Sequence, residues 1–254
     1  MTGWSSPRVA RTNSSEQLHY LLGFSGLRMV QDEKMLCFSL DSVLLADFAR
    51  LTKDTRVIVD LGTGFSPVPL FLSTRASAAI YGMEIQPRAA EIARRNIRLN
   101  GLEDTITIVE DDLRRAHEHF TSSSVDYITC NPPYYNYGTK ALGASKAKNL
   151  AKHEQDLSLQ DIVRTARYLL CNKGRLALVH KPERIEEVIA LLAEERLHLK
   201  RLRMVHSRQD SRASRVLFEA VVGGRIGGVE VLPPLVVHEG EDYSEEVLRI
   251  FKRK

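Results

Sequence analysis

The stretch Cys130-Asn131-Pro132-Pro133-Tyr134-Tyr135 closes an apolar run, Val125 to Thr129, with residues suited to gripping a flat polar group. Asn131 offers one acceptor and two donors, and neither Pro132 nor Pro133 has a backbone N–H, so the carbonyls there are presented rigidly. Tyr134 and Tyr135 add faces on which a planar group can stack. Such a set suits a planar amine, for example the exocyclic nitrogen of adenine, whose lone pair is delocalised into its ring. If the Asn131 side-chain oxygen and the Pro132 carbonyl accept both amine protons, the nitrogen turns tetrahedral and its lone pair is aimed outward. The same acceptors stabilise the positive charge that grows on nitrogen as it attacks an electrophile in line. This chemistry needs neither a metal nor a strong general base, and no metal site is expected.

A second cluster lies upstream. Asp60-Leu61-Gly62-Thr63-Gly64 ends an apolar run, and glycines after an acid make a turn whose backbone a ligand can approach closely. Glu84 follows at the distance of roughly 20 residues that suits an acid gripping a ribose diol. Asp111 or Asp112 could accept from an adenine amino group. A dinucleotide turn has a third glycine where this chain has Ser66, followed by Pro67, and an acid before the glycines repels a pyrophosphate. It attracts a ligand with a cationic amino-acid tail, and S-adenosylmethionine has that tail.

Strand and helix patterns must position these groups. Residues 56–60, 78–84, 105–110, 125–130 and 175–180 read as buried strands. They alternate with helical stretches over 66–75, 87–101, 158–174 and 182–196. Residues 197–206 and 214–222 read as a final pair of strands joined too tightly for a helical crossover. The expected fold is therefore α/β: a doubly wound, mostly parallel, seven-stranded Rossmann-like sheet with an antiparallel edge hairpin and its ligand crevice at the carboxyl ends of the strands. Residues 1–16 read as a flexible polar arm and 17–254 as one domain, with 17–55 packing on the sheet.

In motif and order, "DLGTG", Glu84 and "CNPPYY" resemble the S-adenosylmethionine-dependent methyltransferases of planar amino or amide nitrogens, over roughly residues 36 to 222. "FSLDSVLLADFA", "AKHEQDLSLQDIVRTA" and "MVHSRQDSRASRVLFEAV" are similar to the bacterial subfamily that methylates N6 of the adenosine beside the anticodon of a valine tRNA. The resemblance implies that Asp60, Gly62, Glu84 and Asp112 hold the cofactor and that Asn131, Pro132 and Tyr134 hold the target base. It also implies that Asp41 closes over the methionine tail. The chain departs from its relatives at Phe65-Ser66-Pro67, where they tend to carry a small residue, a glycine and an aliphatic residue.

The remaining composition bears on the substrate. The chain has 254 residues, 43% of them hydrophobic, and a formal charge of +4; it carries no apolar run long enough for a membrane helix and no apolar leader, so a cytoplasmic protein is expected. Cys37, Cys130 and Cys171 are odd in number and set in apolar surroundings, as reduced buried thiols are. Lysines between 140 and 152, Lys146 and Lys148 among them, and Arg208, Arg212 and Arg215 near the last hairpin could meet the phosphates of tRNA. A stacked adenine is out of reach, so the target base is expected to be single-stranded or flipped. His153, His180 and His206 are expected to be structural. Two other readings are compatible with the motif: methylation of a glutamine amide in a release factor, and a non-catalytic RNA- or nucleotide-binding domain.

Overall fold

The computed structural model describes residues 15–20, 26–35, 39–132 and 157–251. Pro133, Tyr134, Tyr135, Lys146, Lys148, Cys37, His153 and residues 1–14 of the expected arm lie outside them. None of the described helices is long and apolar enough to cross a membrane.

The expected alternation is present: β3 (Val57–Leu61), α2 (Pro67–Ser73), β4 (Ala79–Met83), α3 (Pro87–Leu99), β5 (Ile106–Val109), β6 (Val125–Cys130), α4 (Leu159–Leu169), β7 (Leu170–His180), α5 (Ile185–Glu194), β8 (Leu197–His206) and β9 (Ala213–Val222). These strands lie in the order β5-β4-β3-β6-β7-β9-β8. β3, β4, β5, β6 and β7 pair in parallel, and β9 runs antiparallel between β7 and β8. The final hairpin is therefore not a simple appendage. β8 crosses over to the outer position, and β9 returns into the gap, leaving β8 aligned with the parallel set. Two short strands, β10 (Glu230–Val231) and β11 (Leu235–Val236), add in parallel to β8, so the sheet has nine strands rather than seven.

Strand periodicity divides the core between the two faces. Ile58, Ile80, Tyr127, Val179 and Leu217 face one layer, which holds α2, α3, α1 (Leu40–Phe48) and α6 (Glu245–Phe251). Val59, Met83, Ile128, Leu178 and Val216 face the other, against α4 and α5. On α4 the stripe Ile162, Val163, Ala166 and Leu169 is buried, and Ser158 opens the helix with a capping box to Asp161. That helix stops at Leu169, short of the expected Gly174. Leu170 is already extended and pairs with Val125, so sheet pairing overrides helix propensity there. Cys130 is buried, as expected, but Cys171 is only partly so.

An element absent from the sequence reading covers α3. β1 (Glu16–Tyr20) and β2 (Arg28–Asp32) form an antiparallel hairpin, so Glu16 belongs to a strand and not to the arm. Its buried carboxylate meets Arg95 at 2.8 and 2.9 Å, and Arg88 as well. Asn96 of α3 and Asn100, which caps that helix one turn on, pair with the remaining edge of β2. Asn96 accepts from Val30 N at 2.7 Å and donates to Val30 O at 3.0 Å, and Asn100 does the same at Arg28 with 2.9 and 2.7 Å. Asn96 Nδ2 also donates to Phe65 O at 3.0 Å, which ties this hairpin to the turn after β3.

Replacing Asn96 with Leu strands these buried backbone groups. It should cost roughly 3 kcal/mol in urea unfolding and speed hydrogen exchange at the Val30 amide.

Candidate active site

The parallel register sets the chemistry-bearing residues along one rim. Leu61 pairs with Met83 and with Cys130, and Met83 pairs with Val109, so the residues that follow these positions emerge side by side at the carboxyl ends of the strands. Asp60, Gly62, Gly64, Glu84, Asp111, Asp112, Asn131 and Pro132 are thereby brought to one rim of the sheet.

Asp60 is 2% exposed at the end of β3 and accepts from Thr129 Oγ1 at 2.6 Å. Burial pushes its carboxyl up to about 7, with the Thr129 hydrogen bond opposing and the charge of Glu84 adding. Glu84 is also raised by burial, against the pull of backbone N–H groups from Gln86 and Gly64. Each Glu84 oxygen accepts one of them, Oε1 from Gln86 N and Oε2 from Gly64 N, both at 2.8 Å.

Gly62 and Gly64 have φ of +70° and +57°, and a Cβ built on either would meet nothing within 4 Å. The turn needs the left-handed conformation, and open space lies over it for a ligand. Ser66, the departure from the relatives' glycine, also has a left-handed φ of +70° as the N-cap of α2. Its hydroxyl is fully buried and makes no hydrogen bond among the described residues. The Thr63 side chain lies over Gly82 of β4, where an added Cβ would come within 2.7 Å of it.

The acids at the end of β5 are already engaged. Asp112 caps the short 3-10 helix Leu113–Glu118, accepting from Arg114 N at 2.9 Å and from the Arg114 guanidinium. Asp111 meets His119 Nε2 at 2.7 Å and Arg115 at 3.3 Å, and the His119 contact holds its carboxyl below the usual range.

Asn131 follows β6 half-buried, and Pro132 is buried. The Asn131 Nδ2 donates to Ser42 Oγ at 3.1 Å. Ser42 stands in the first turn of α1 beside Asp41, whose Oδ2 accepts from Arg215 Nε at 2.9 Å. Arg215, expected to meet phosphate, is therefore paired with Asp41. Arg208 and Arg212 are exposed on the β8–β9 turn, with Arg208 donating to Gly240 O at 2.6 Å. They lie at the same end of the sheet as Asn131 but three strands away, on the order of 14 Å. His180 is buried and accepts from Lys181 N through Nδ1; burial lowers it to about 4, so it is neutral. His206 Nδ1 bonds the carbonyl of Ser211. Neither histidine is placed as an acid or base, as expected. Sequence reasoning missed Ser42 and Thr129. Both are small hydroxyl residues inside regular elements, with no local pattern to mark them.

The methyltransferase small domain family model matches residues 40–195. The chain belongs to that family. Among curated relatives, a tRNA1(Val) (adenine(37)-N6)-methyltransferase of Parabacteroides distasonis is 31% identical over 84% of this chain and 87% of its own. One of Shewanella loihica is 30% identical over 63% of this chain and 66% of its own. Among solved structures, a predicted O-methyltransferase of Agrobacterium tumefaciens superposes with a TM-score of 0.66 at 23% identity, covering 83% of this chain and 96% of that one. A tRNA m1G37 methyltransferase of Methanocaldococcus jannaschii gives 0.54 at 18% identity, covering 85% and 59%. These likenesses carry the class I methyltransferase fold. The methyltransferase uses S-adenosylmethionine, and the crevice fits it: an open glycine turn lies between a buried acid and a strand-end carboxylate.

Two consequences follow from this geometry. Between the ordinary aspartate value near ~4 and about 7, folded Asp60 holds a proton that the unfolded chain has lost, so stability declines as pH rises through that window. Asp60→Asn should reduce the decline, read as the difference in Tm between pH 5 and pH 8. Ser66→Gly relieves the left-handed strain and removes the orphan hydroxyl, and should stabilise the protein by about 1 kcal/mol in urea unfolding, after the cost of a freer unfolded chain.

Proposed function

We propose that this methyltransferase transfers the methyl group of S-adenosylmethionine to N6 of an adenine in tRNA, at position 37 beside the anticodon of a valine tRNA. The observation that carries this reading is the Asn131 carboxamide, set at the rim beside the glycine turn with its Nδ2 engaged by Ser42. The names of relatives that match most of the chain point to the same nucleotide.

Asp60, Gly62, Gly64 and Glu84 hold the cofactor in this reading, and Asp111 and Asp112 shape the adenine end of its pocket. Glu84 keeps acceptor capacity beyond its backbone contacts and meets the ribose hydroxyls. S-adenosylmethionine supplies the electrophilic methyl group. Asn131 Oδ1 and the Pro132 carbonyl accept the amine protons and stabilise charge growing on nitrogen, and Pro133 belongs to the same catalytic motif. Tyr134 and Tyr135 stack on the extruded base. Lys146, Lys148, Arg208 and Arg212 lie against tRNA phosphates, which makes binding fall with salt. The rim supports this division, with acids along the ends of β3, β4 and β5 and arginines beyond β7.

Transfer of labelled methyl to bulk tRNA lacking its modifications, followed by nucleoside analysis, should yield N6-methyladenosine. A release factor present as a parallel acceptor should stay unlabelled. Asn131→Ala should lower kcat by roughly 10³-fold while cofactor affinity stays within about twofold. Label in the release factor, or full turnover by Asn131→Ala, would overturn the reading.

A further inference from the structure

We infer that a cavity on the α1 face of the sheet, away from the catalytic rim, binds a phosphate group. Arg50, Arg175, Lys200 and Arg201 line it together with Glu230 and Gly228, around a volume of about 290 Å³. The cations come from three separate segments: Arg50 from just beyond α1, Arg175 from β7, and Lys200 and Arg201 from β8. Arg175 pairs with Val221, and Val221 with His198, in the rows nearest the amino ends of the parallel strands. The cavity therefore lies towards the opposite end of the sheet from Asn131. Gathering like charges in one place costs Coulomb energy, and the protein offsets only part of it. Glu219, behind the wall, meets Arg175 at 2.9 Å and Arg201 at 3.4 Å, and Glu230 lies 3.8 Å from Arg201. With both carboxylates counted, two formal positive charges remain in excess.

The cations are held in place without being used up. Arg50 N donates to Tyr127 Oη at 3.0 Å and to Glu219 Oε2 at 3.1 Å, which pins its backbone. Its side chain is exposed at the cavity, and among the described residues its guanidinium has neither an ion pair nor a hydrogen bond. Lys200 Nζ donates to Arg225 O at 2.5 Å and to Gly227 O at 2.7 Å, two bonds from a group that carries three N–H. Those bonds draw the glycine-rich loop after β9 against the cavity. Gly228 there takes a φ of +65°, and a Cβ built on it would meet nothing within 4 Å, so the wall stays open at that point. Arg201 lies over the Phe48 ring, its Cζ 4.5 Å from the centroid, which fixes the guanidinium plane. Groups anchored in this way lose little freedom when an anion arrives. Cations converging from three segments suit a tetrahedral oxyanion, and forked guanidiniums match its pairs of oxygens.

Inorganic phosphate is the probe, titrated into the full chain against chloride at constant ionic strength and followed by 15N–1H spectra. The amides of Gly227 and Gly228 should shift and saturate. Arg50→Gln should weaken phosphate binding about tenfold, the loss of one charge-assisted contact, and Arg50→Lys should weaken it less. Neither variant removes the backbone N–H that Glu219 accepts, so Tm without phosphate should stay within about 2 °C of wild type. Lys53→Gln removes an exposed charge outside the cavity and should leave the affinity within about twofold. An affinity unchanged in Arg50→Gln, or lowered equally by Lys53→Gln, overturns the inference, as do shifts confined to the carboxyl-end rim. Methyl transfer enters none of these readouts, so the site stands or falls apart from the proposed activity. Binding of tRNA to wild type and Arg50→Gln then identifies the source of the phosphate. A salt dependence shallower by about one unit in the variant marks a phosphate of the RNA backbone, and unchanged tRNA binding beside weakened phosphate binding marks a free phosphate compound.

Discussion

The turn from Leu61 to Pro67 is the constraint around which the site is organised. Three of its residues, Gly62, Gly64 and Ser66, are left-handed, a conformation that a side chain ordinarily disfavours. Such a turn persists only where its surroundings over-determine it. Here Thr63 N donates to Met83 O at 2.9 Å, Gly64 N to Glu84, and Ser66 N to Thr63 O at 2.9 Å, while Asn96 holds the Phe65 carbonyl. The absent side chain at Gly82 makes room for Thr63. β4, α3 and the N-terminal hairpin thus all bear on one turn. Ser66 adopts there the left-handed backbone that glycine takes most easily.

Helix α1 is the second support. Its far end is tied to a fully buried carboxylate, Glu219, which accepts from Tyr127 Oη at 2.5 Å, Arg175 at 2.9 Å and the backbone of Arg50 at 3.1 Å, with Arg201 at 3.4 Å. A buried carboxylate with this many donors is costly to disturb, because removing one partner leaves charge uncompensated in a low dielectric. The network joins β6, β7, β8 and β9 to the chain just after α1. Rigidity generated deep in the sheet therefore extends along the helix to Asp41 and Ser42 at the rim.

Along that rim, the acids and the exposed hairpin arginines stand on different strands. Asp60, Glu84, Asp111 and Asp112 occupy the β3, β4 and β5 side, and Asn131 stands next to them at the end of β6. Arg208 and Arg212 lie beyond, at the β8–β9 turn. Burial keeps Asp60 and Glu84 more readily protonated than free carboxyls, which softens the repulsion between them until a cation arrives.

The sequence by itself determined the alternating elements, because apolar periodicity is a local signal that each segment carries alone. It also determined which residues from Asp60 to Pro132 emerge along one rim, since parallel strands with right-handed crossovers bring their carboxyl ends to one side. Where β9 inserts, how β1 and β2 lie on α3, and that Leu170 leaves its helix for the sheet were decided only in the tertiary structure. Each depends on pairing between segments far apart in the chain, and such pairing leaves no period to read. The same holds for single contacts. Asn96 reads as an ordinary polar helix residue, Ser42 as a helix-start serine and Arg215 as a phosphate ligand, until folding sets them against Val30, Asn131 and Asp41. What a polar side chain does in this protein is fixed by the partner that the fold delivers to it.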